Sequence, residues 1–257
     1  MNTLATALET ATRIRIVLVG TQHPGNIGAA ARALKTMGLS RLVLVAPEQY
    51  PADEAFRRAA GADDLLASAS VVATLAEAVA DCRVVLGCTA RSRRVALQEL
   101  EPRAAALRIV DLAAADQVAL VFGRERTGLS NEELQLCHAS VHIPANPEYS
   151  SLNLAAAVQV LAYELRVALL APQGAAPGSE ARQEPAAAHA QMEGFFAQLG
   201  ETLDEIDFHK GRAPDSAMRK LRRLFLRAGM NEQEVRLMRG ILADAQRMAR
   251  LAGMKPD

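Results

Sequence analysis

Several features that point to particular protein classes are scarce or missing in this sequence. The 257 residues include three cysteines, no tryptophan and only 4% aromatic residues. The cysteines form no Cys-x-x-Cys pair, which argues against a disulfide framework and a four-ligand zinc site. No apolar run approaches the ~18 residues that a membrane span requires, because the best candidate, residues 158–171, is interrupted by Glu164 and Arg166. The first apolar run, residues 14–19, is too short for a signal peptide.

The formal net charge is zero, because the sequence has 29 Lys and Arg residues and 29 Asp and Glu residues. Half of the residues are hydrophobic and 23% are charged, which is typical of a globular protein. The charge is unevenly distributed, because residues 210–227 hold seven basic side chains and one acidic side chain. This basic run is either a solvated helix face or a patch that follows a phosphate backbone. These features predict a soluble, cytoplasmic protein.

Short apolar runs alternate with helical patterns along the first two thirds of the chain. The runs are almost continuously apolar, as expected for strands that are covered on both faces. They lie at residues 14–19, 42–45, 83–87, 118–122 and 140–143. The alternation predicts an α/β fold with a parallel sheet. A long amphipathic helix follows at about residues 152–170, with Val158, Leu161, Leu165 and Leu169 on one face.

The rest of the chain changes character. Residues 171–190 hold three prolines and no large apolar side chain, which is typical of a linker. Residues 191–257 show helical spacing without a strand pattern, so we expect a small, basic, α-helical domain with three helices. Residues 1–12 carry no strong signal and are treated as a leader, which leaves residues 13–170 for the α/β domain.

The first candidate site follows the apolar run that ends at Val19. Asn26 suits the N-cap of a helix that ends near Gly38. Gly28 and Arg32 are four residues apart and therefore share a helix face. A glycine there would let a ligand approach closely, with the Arg32 guanidinium one turn away to bind a phosphate or ribose. The alternative is a capped helix with a solvated arginine.

The second candidate site follows the run that ends at Phe122. Gly123 can turn the chain directly after a strand, and Ser130 with Glu133 predicts a capping box for the next helix. The loop between them carries three successive charged side chains: Arg124, Glu125 and Arg126. This loop is either solvated or grips a substrate.

The third candidate site, residues 145–154, joins the last predicted strand to the long helix. Ser150 or Ser151 would cap that helix and leave backbone N–H groups free to bind the acceptor edge of a ligand such as adenine. Capping explains the two serines but not Asn153. All three sites follow strands, and open α/β sheets bind ligands at the carboxyl ends of their strands.

In this order the three stretches resemble the SPOUT-class, TrmH-like RNA methyltransferases that methylate ribose 2′-hydroxyls. The matching residues are Asn26-Ile27-Gly28 with Arg32, Phe122-Gly123-Arg124-Glu125 with Gly128, and Ser151-Leu152-Asn153 with the alanine-rich helix after it. The resemblance covers about residues 13–170 and, more loosely, the basic run that begins at Lys220. It is closest to the branch that modifies cytidine or uridine at nucleotide 32 of the tRNA anticodon loop.

The resemblance implies a SPOUT fold with a C-terminal trefoil knot, an obligate homodimer, tRNA as substrate, S-adenosylmethionine as methyl donor and no metal. It places the cofactor among eight residues: Cys88, Thr89, Ala90, Gly123, Ile143, Ser150, Ser151 and Leu152. It assigns catalysis to Arg32, which would act near the cofactor of the other subunit. Four residues would orient Arg32 and the ribose: Asn26, Glu125, Ser151 and Asn153.

The chemistry of arginine narrows the role of Arg32. A guanidinium is effectively always protonated, so we expect Arg32 to grip a phosphate and stabilise developing alkoxide charge rather than to act as a simple base. His23 is a spare candidate base. Contacts to tRNA are expected from five basic residues: Arg91, Arg124, Lys220, Arg222 and Arg223. Scarce aromatic rings favour recognition through shape and charge over base stacking.

Three alternative functions remain open. The first is ribose methylation of another tRNA site or of ribosomal RNA. The second is a non-catalytic RNA-binding protein with this fold, which the presence of Asn26, Arg32, Glu125 and Asn153 disfavours. The third is a nicotinamide-dependent dehydrogenase on a parallel sheet, which the lack of a Gly-x-Gly-x-x-Gly turn disfavours.

Overall fold

A computed structural model describes residues 3–90, 97–171, 187–210 and 213–253. They divide into two compact units, residues 1–177 and 178–257. The first unit contains α1 (Thr3–Ala11), β1 (Ile14–Val19), α2 (Pro24–Thr36), β2 (Arg41–Val45), α3 (Asp53–Ala59), α4 (Asp63–Ala67), β3 (Ser70–Val72), α5 (Leu75–Val79), β4 (Val84–Cys88), β5 (Gln98–Leu100), α6 (Pro102–Ala113), β6 (Val118–Phe122), α7 (Asn131–Gln135), β7 (Ala139–Val141) and α8 (Leu154–Leu170). The second unit contains α9 (His189–Glu205), α10 (Pro214–Ala228) and α11 (Glu232–Gly253).

Seven strands form one parallel sheet in the order β3-β2-β1-β6-β4-β7-β5, which confirms the predicted parallel α/β fold. β1 and β6 coincide with predicted apolar runs, and β2, β4 and β7 differ from theirs by one or two residues at the ends. β3 and β5 are not predicted from the sequence. Both are only three residues long and lie at the edges of the sheet.

Helices cover both faces of the sheet, which explains why its central strands are almost entirely apolar; the exception, Arg15 of β1, is buried and pairs with Asp81. Ile16 and Leu18 of β1 pack into a core with α1, α2, α6 and α8. Val17 and Val19, which point the other way, pack into a second core with α5 and α7.

Two helices confirm expectations drawn from the sequence. The four residues predicted to share a face of α8, Val158, Leu161, Leu165 and Leu169, are all buried. Helix α2 ends as expected just before Gly38, whose positive φ of 75° suits a glycine after a helix C-terminus. The N-terminal segment, for which the sequence gives no signal, forms α1 and buries Ala7 and Ala11.

The second unit is helical, as expected. Its core contains Phe195, Phe196, Leu199 and Leu242, and the rings of Phe195 and Phe225 meet edge-on with their centroids 4.9 Å apart. In the described part of the chain, no helix combines the length and the apolarity that crossing a bilayer would need.

Candidate active site

The three candidate sites meet at the carboxyl edge of the sheet. They follow β1, β6 and β7; β6 pairs with β1 on one side and with β4 on the other, and β4 also pairs with β7. A cleft of about 310 Å³ opens at this edge. It is lined by the end of β4, the loop after β6, Ile143 after β7, and the residues that lead into α8.

All eight residues predicted to hold the cofactor line this one cleft: Cys88, Thr89, Ala90, Gly123, Ile143, Ser150, Ser151 and Leu152. They come from four separate stretches of sequence at or after β4, β6 and β7, so the fold brings them together at the strand ends. The cleft volume lies at the lower end of the range of ~300–1,000 Å³ that is usual for small-molecule sites. What these residues bind stays a prediction at this point.

Gly123 has no room for a side chain. A Cβ at this position would lie 2.1 Å from the carbonyl carbon of Gly128 and 2.2 Å from the nitrogen of Leu129. The approach is close because Arg124 and Gly128 exchange two backbone hydrogen bonds that close the loop. Gly123 does not have a positive φ. The prediction that this glycine serves to turn the chain is therefore wrong, and the close approach of two backbone segments is the reason for it.

A chain of hydrogen bonds connects the three candidate sites. The side-chain oxygen of Asn153 accepts from the N–H groups of Ala155 and Ala156, so its amide nitrogen is directed outward. That nitrogen donates to the side-chain oxygen of Asn26 over 3.0 Å, and the amide nitrogen of Asn26 donates to Glu125 Oε1 over 2.8 Å. Each amide in this chain therefore accepts through its oxygen and donates through its nitrogen in one sequence, which runs from the start of α8 through Asn153 and Asn26 to Glu125.

The carboxylate of Glu125 ends this chain and also holds the start of α2. The backbone N–H groups of Gln22 and His23 donate to its two oxygens over 3.0 and 3.1 Å. Burial raises the pKa of Glu125, but the hydrogen bonds from Asn26 and from backbone N–H groups outweigh burial, and the pKa lies below its ordinary value of 4.5. Glu125 is therefore a charged acceptor at neutral pH.

We expect Glu125→Gln to unfold at a lower temperature than the wild type at neutral pH, because an amide cannot accept hydrogen bonds on both of its polar atoms. The pKa of Glu125 is lowered in the folded protein, so its stabilisation is complete above the ordinary pKa of 4.5 and is lost as the pH falls through the folded value. Thermal unfolding across this range should show the two proteins converging at acid pH. Glu201→Gln, at an exposed position of α9, is the control, and a difference that did not depend on pH would contradict this assignment.

The two predicted helix caps beside the cleft are wrong. The N-cap of α2 is His23, and Asn26 lies inside the helix, where its side chain is free to reach Glu125. The N-cap of α8 is Asn153, and Ser150 and Ser151 line the cleft instead. Two of the N–H groups at the start of α8 therefore already have a partner within the protein.

Gly28 has a packing role rather than the predicted role in ligand approach. A Cβ there would lie 2.0 Å from the carbonyl oxygen of Ala55, because α2 and α3 cross at this point. Gly28 therefore sets the distance between two helices.

Arg32 does not reach the cleft of its own subunit. It is exposed on α2 and is not among the residues that line the cleft. Among the residues that the structure describes, its guanidinium has no hydrogen-bond or ion-pair partner, while its carbonyl oxygen accepts from the Thr36 hydroxyl over 2.9 Å. Action on the cofactor of another subunit is compatible with this position and stays a prediction.

Two arginines predicted to contact tRNA have partners inside the protein. Arg124 lines the cleft, but its guanidinium lies 2.9 and 3.0 Å from the two carboxylate oxygens of Glu133. Glu133 also completes the predicted capping box with Ser130, which is confirmed. Arg222 pairs with Glu193 and lies 4.5 Å from the centre of the Phe196 ring, which leaves its side chain 15% exposed.

The other predicted tRNA contacts differ in position. Lys220 and Arg223 are exposed on α10. Arg91 lies outside the described residues.

The backbone N–H groups of Gln22 and His23, which donate to Glu125, could not be identified from the sequence. Every residue except proline has a backbone N–H group, so the residue types do not show which of these groups bind a side chain.

Comparison with known proteins places the chain in a family. A model of the SpoU rRNA methylase family matches residues 13–163, and a model of the C-terminal domain of the tRNA methyltransferase TrmJ matches residues 190–253. The tRNA (cytidine/uridine/adenosine-2′-O-)-methyltransferase TrmJ of Pseudomonas aeruginosa (strain UCBPP-PA14) is 50% identical over 245 residues, which cover 93% of this chain and 95% of that protein.

Two further relatives agree. The tRNA (cytidine/uridine-2′-O-)-methyltransferase TrmJ of Salmonella typhimurium (strain LT2) is 50% identical over 233 residues, which cover 91% of this chain and 96% of that protein. The crystal structure of TrmJ from Z. mobilis ZM4 superposes with a TM-score of 0.78 at 37% identity and covers 90% of this chain and 97% of that one. The chain therefore belongs to the SpoU rRNA methylase family, within its TrmJ-like branch.

Proposed function

We propose that this protein transfers a methyl group from S-adenosylmethionine to the 2′-hydroxyl of a cytidine or uridine ribose at nucleotide 32 of the tRNA anticodon loop. The observation that carries the proposal is that the second and third motifs line one cleft and that hydrogen bonds through Asn26 connect the first motif to both of them. Relatives that are 50% identical over more than 90% of the chain are tRNA 2′-O-methyltransferases by name, which supports tRNA over ribosomal RNA. The choice of nucleotide 32 rests on the resemblance of the motifs alone.

The cleft suits S-adenosylmethionine in its lining and charge. Ile143, Leu152 and Leu154 offer apolar surface for an adenine ring, and residues at the strand ends offer backbone groups to its edge. The cofactor would supply a methyl group on a positively charged sulfur; transfer to the ribose hydroxyl breaks the S–C and O–H bonds, forms the O–C bond, and releases a neutral thioether and a proton. A charged Glu125 at the wall of the cleft is compatible with that positive charge.

The hydrogen-bonded chain from Asn153 through Asn26 to Glu125 would position substrate rather than react with it. All three side chains are held by other groups of the protein. Holding the reacting atoms in line is a large part of the catalysis of such a transfer. The hydroxyl of Ser151 lines the cleft and is available to orient the ribose.

The working unit in this proposal is a homodimer in which Arg32 of one subunit approaches the cleft of the other. Helices α1, α6 and α8 pack together and leave five large apolar side chains largely exposed: Leu8, Leu107, Tyr163, Val167 and Leu170. Apolar side chains grouped in this way are typical of a subunit interface. Because α2 packs against α8, an interface over α8 would bring the partner subunit towards Arg32.

We expect the double variant Lys220→Ala/Arg223→Ala to bind tRNA more weakly and with a smaller dependence on salt. Both side chains are exposed on α10, where they can meet a phosphate backbone. Each phosphate contact that is lost should reduce the slope of log K against log salt by about 0.9 on a duplex stem. Binding titrations at several salt concentrations measure this.

Arg222→Ala is the contrasting variant. Its guanidinium is packed on Phe196 and paired with Glu193, so its removal should lower the unfolding temperature. An unchanged tRNA affinity in Lys220→Ala/Arg223→Ala would mean that the basic run of residues 210–227 is a solvated helix face that does not bind phosphate.

The proposed function is tested with purified protein, S-adenosylmethionine and an unmodified tRNA transcript, followed by mass mapping of ribose methyl groups. One methyl group at nucleotide 32 is expected. A methyl group at another tRNA position, methylation of ribosomal RNA instead, or no transfer at all would overturn the assignment. The trefoil knot is part of the same proposal through the resemblance of the motifs, and the cytoplasmic location that the composition predicts is part of it as well.

A further inference from the structure

The loop after β6 carries three successive charged side chains, and the protein itself holds two of them. Arg124 is paired with Glu133, and Glu125 accepts from Asn26 and from two backbone N–H groups. Arg126 is exposed and lines the cleft. Within the described ranges of the chain, its guanidinium makes no hydrogen bond or ion pair. The charge of Arg126 is therefore available to bind a ligand.

The loop presents Arg126 from a firmly held base. The two backbone hydrogen bonds between Arg124 and Gly128 close the loop, so Arg126 stands at the middle of its tip. The contact of Gly123 with residues 128 and 129 and the ion pair of Arg124 with Glu133 hold the base on both sides. Because the backbone of this loop is already held in place, a ligand that binds Arg126 does not have to order it. The entropic cost of binding is therefore small, and more of the contact energy contributes to affinity.

The chemistry of arginine selects the class of ligand. A guanidinium presents its N–H donors in a planar fork that matches the oxygens of a phosphate or a carboxylate. Two such anions could come to this cleft: a phosphate of the tRNA backbone and the carboxylate of the cofactor. Arg126 is exposed, whereas six of the eight residues assigned to the cofactor are buried or half-buried. A polyanion that approaches from solvent meets the exposed side chain first.

The position of the neighbouring residue strengthens the choice. Glu125, directly before Arg126, belongs to the hydrogen-bonded chain assigned to the target ribose. The phosphate on the 3′-oxygen is attached to the same ribose as the 2′-hydroxyl, one carbon away. A cation next to the ribose-positioning residues is therefore placed for a phosphate attached to the ribose that is methylated.

We propose that Arg126 binds a backbone phosphate of the tRNA beside the target ribose and so fixes that ribose over the cleft. The proposal rests on the proposed function and adds to it the residue that contacts the backbone at the reaction site. It separates the three charges of the loop into a structural arginine, a positioning carboxylate and a substrate-binding arginine.

The test compares wild type, Arg126→Ala and Arg126→Lys in the full-length protein. Arg126→Ala should raise the KM for a tRNA transcript about tenfold, the usual effect of one charge-assisted hydrogen bond. It should reduce the slope of log K against log salt by about 0.7, the value for one phosphate of a single-stranded loop. S-adenosylmethionine affinity by calorimetry and the unfolding temperature should stay unchanged. Arg126→Lys should restore the salt slope and part of the KM, because it keeps the charge but not the fork.

Lys35→Ala is the matched control. Lys35 is a cation in the last turn of α2 and pairs with Asp64. Helix α2 is followed by the amino end of β2. Lys35 therefore lies at the edge of the sheet opposite the cleft. Its loss should leave the KM for tRNA unchanged. A fall in cofactor affinity in Arg126→Ala would overturn the proposal and assign this residue to the cofactor carboxylate. An unchanged KM and salt slope would overturn it in favour of a solvated side chain. Absence of tRNA methylation by the wild type would instead defeat the proposed function, which keeps the two failures apart.

Discussion

Arg32→Ala is expected to reduce the rate of methyl transfer about 10³-fold and to leave the affinity for S-adenosylmethionine unchanged. Arg32 lies outside the cleft of its own subunit and has no partner among the described residues, so truncation should disturb neither the fold nor the cofactor contacts of that subunit. What is lost is the positive charge that stabilises the oxygen as its proton leaves. Single-turnover methylation and calorimetry with the cofactor measure the two quantities separately. An equal loss of both would contradict this division of roles.

Mixed dimers test whether Arg32 acts across the subunit boundary. Arg32→Ala supplies an intact cleft without the arginine, and Leu152→Trp supplies the arginine with a filled cleft. Each homodimer should be inactive. Random reassortment makes about half of the dimers mixed, with one complete site of two, so about a quarter of the wild-type activity should return. No recovery in dimers shown to exchange subunits would mean that Arg32 does not act in trans.

Gly123→Ala is expected to abolish cofactor binding and to destabilise the protein by about 3 kcal/mol, at the upper end of the usual cost of overpacking. The added methyl group would meet backbone atoms of residues 128 and 129 at 2.1–2.5 Å, and backbone cannot rotate away as the end of a side chain can. The loop must open, and it carries Arg124, Glu125 and Arg126 along the wall of the cleft. Denaturant unfolding and calorimetry with S-adenosylmethionine measure the two effects.

Gly240→Ala is the control for this substitution. Gly240 lies in α11, and a Cβ there meets no atom within 4 Å. This variant should be more stable than the wild type by roughly 0.5–1 kcal/mol, because alanine is the better helix former. Retained cofactor binding in Gly123→Ala would show that the loop can open without loss of the site.

The strands that could be predicted from the sequence are those that the fold buries on both faces. β1 and β6 are six and five residues long, are apolar except for Arg15, and occupy the middle of the sheet, so their composition is distinctive. β3 and β5 each pair along one edge only and expose two of their three residues. Strands of that length and exposure have no distinct pattern, and only their neighbours in the sheet define them.

That the three stretches lie at one edge of the sheet could be predicted, and the contacts among them could not. The rule that ligands bind at strand ends brought three distant stretches to one edge. The two cap predictions beside the cleft failed because several cap-forming side chains stand close together there, and because Asn26 bonds instead to Asn153, which is 127 residues away in the sequence. Pro24 at the start of α2 was the available signal for its first turn.

The basic run of the second unit shows a different limit. Charge patterning treats Arg222 and Arg223 alike, because they are neighbours with the same side chain. The helix turns one towards Glu193 and Phe196 and the other to the surface. An acidic and an aromatic partner from another helix decide which arginine faces inward, and a charge count contains no information about either.

The order of the strands in the sheet has a consequence for the growing chain on the ribosome. β5 is made before β6, yet in the described part of the protein its pairing partner is β7, which also fills the place next to β4. Residues 98–100 therefore have no neighbour to pair with until residues 139–141 have been synthesised. A nascent chain that has reached β6 can assemble β1, β2, β3, β4 and β6, but the part of the cleft wall that follows β7 forms last. The half-made protein therefore has a five-stranded sheet and an incomplete cleft.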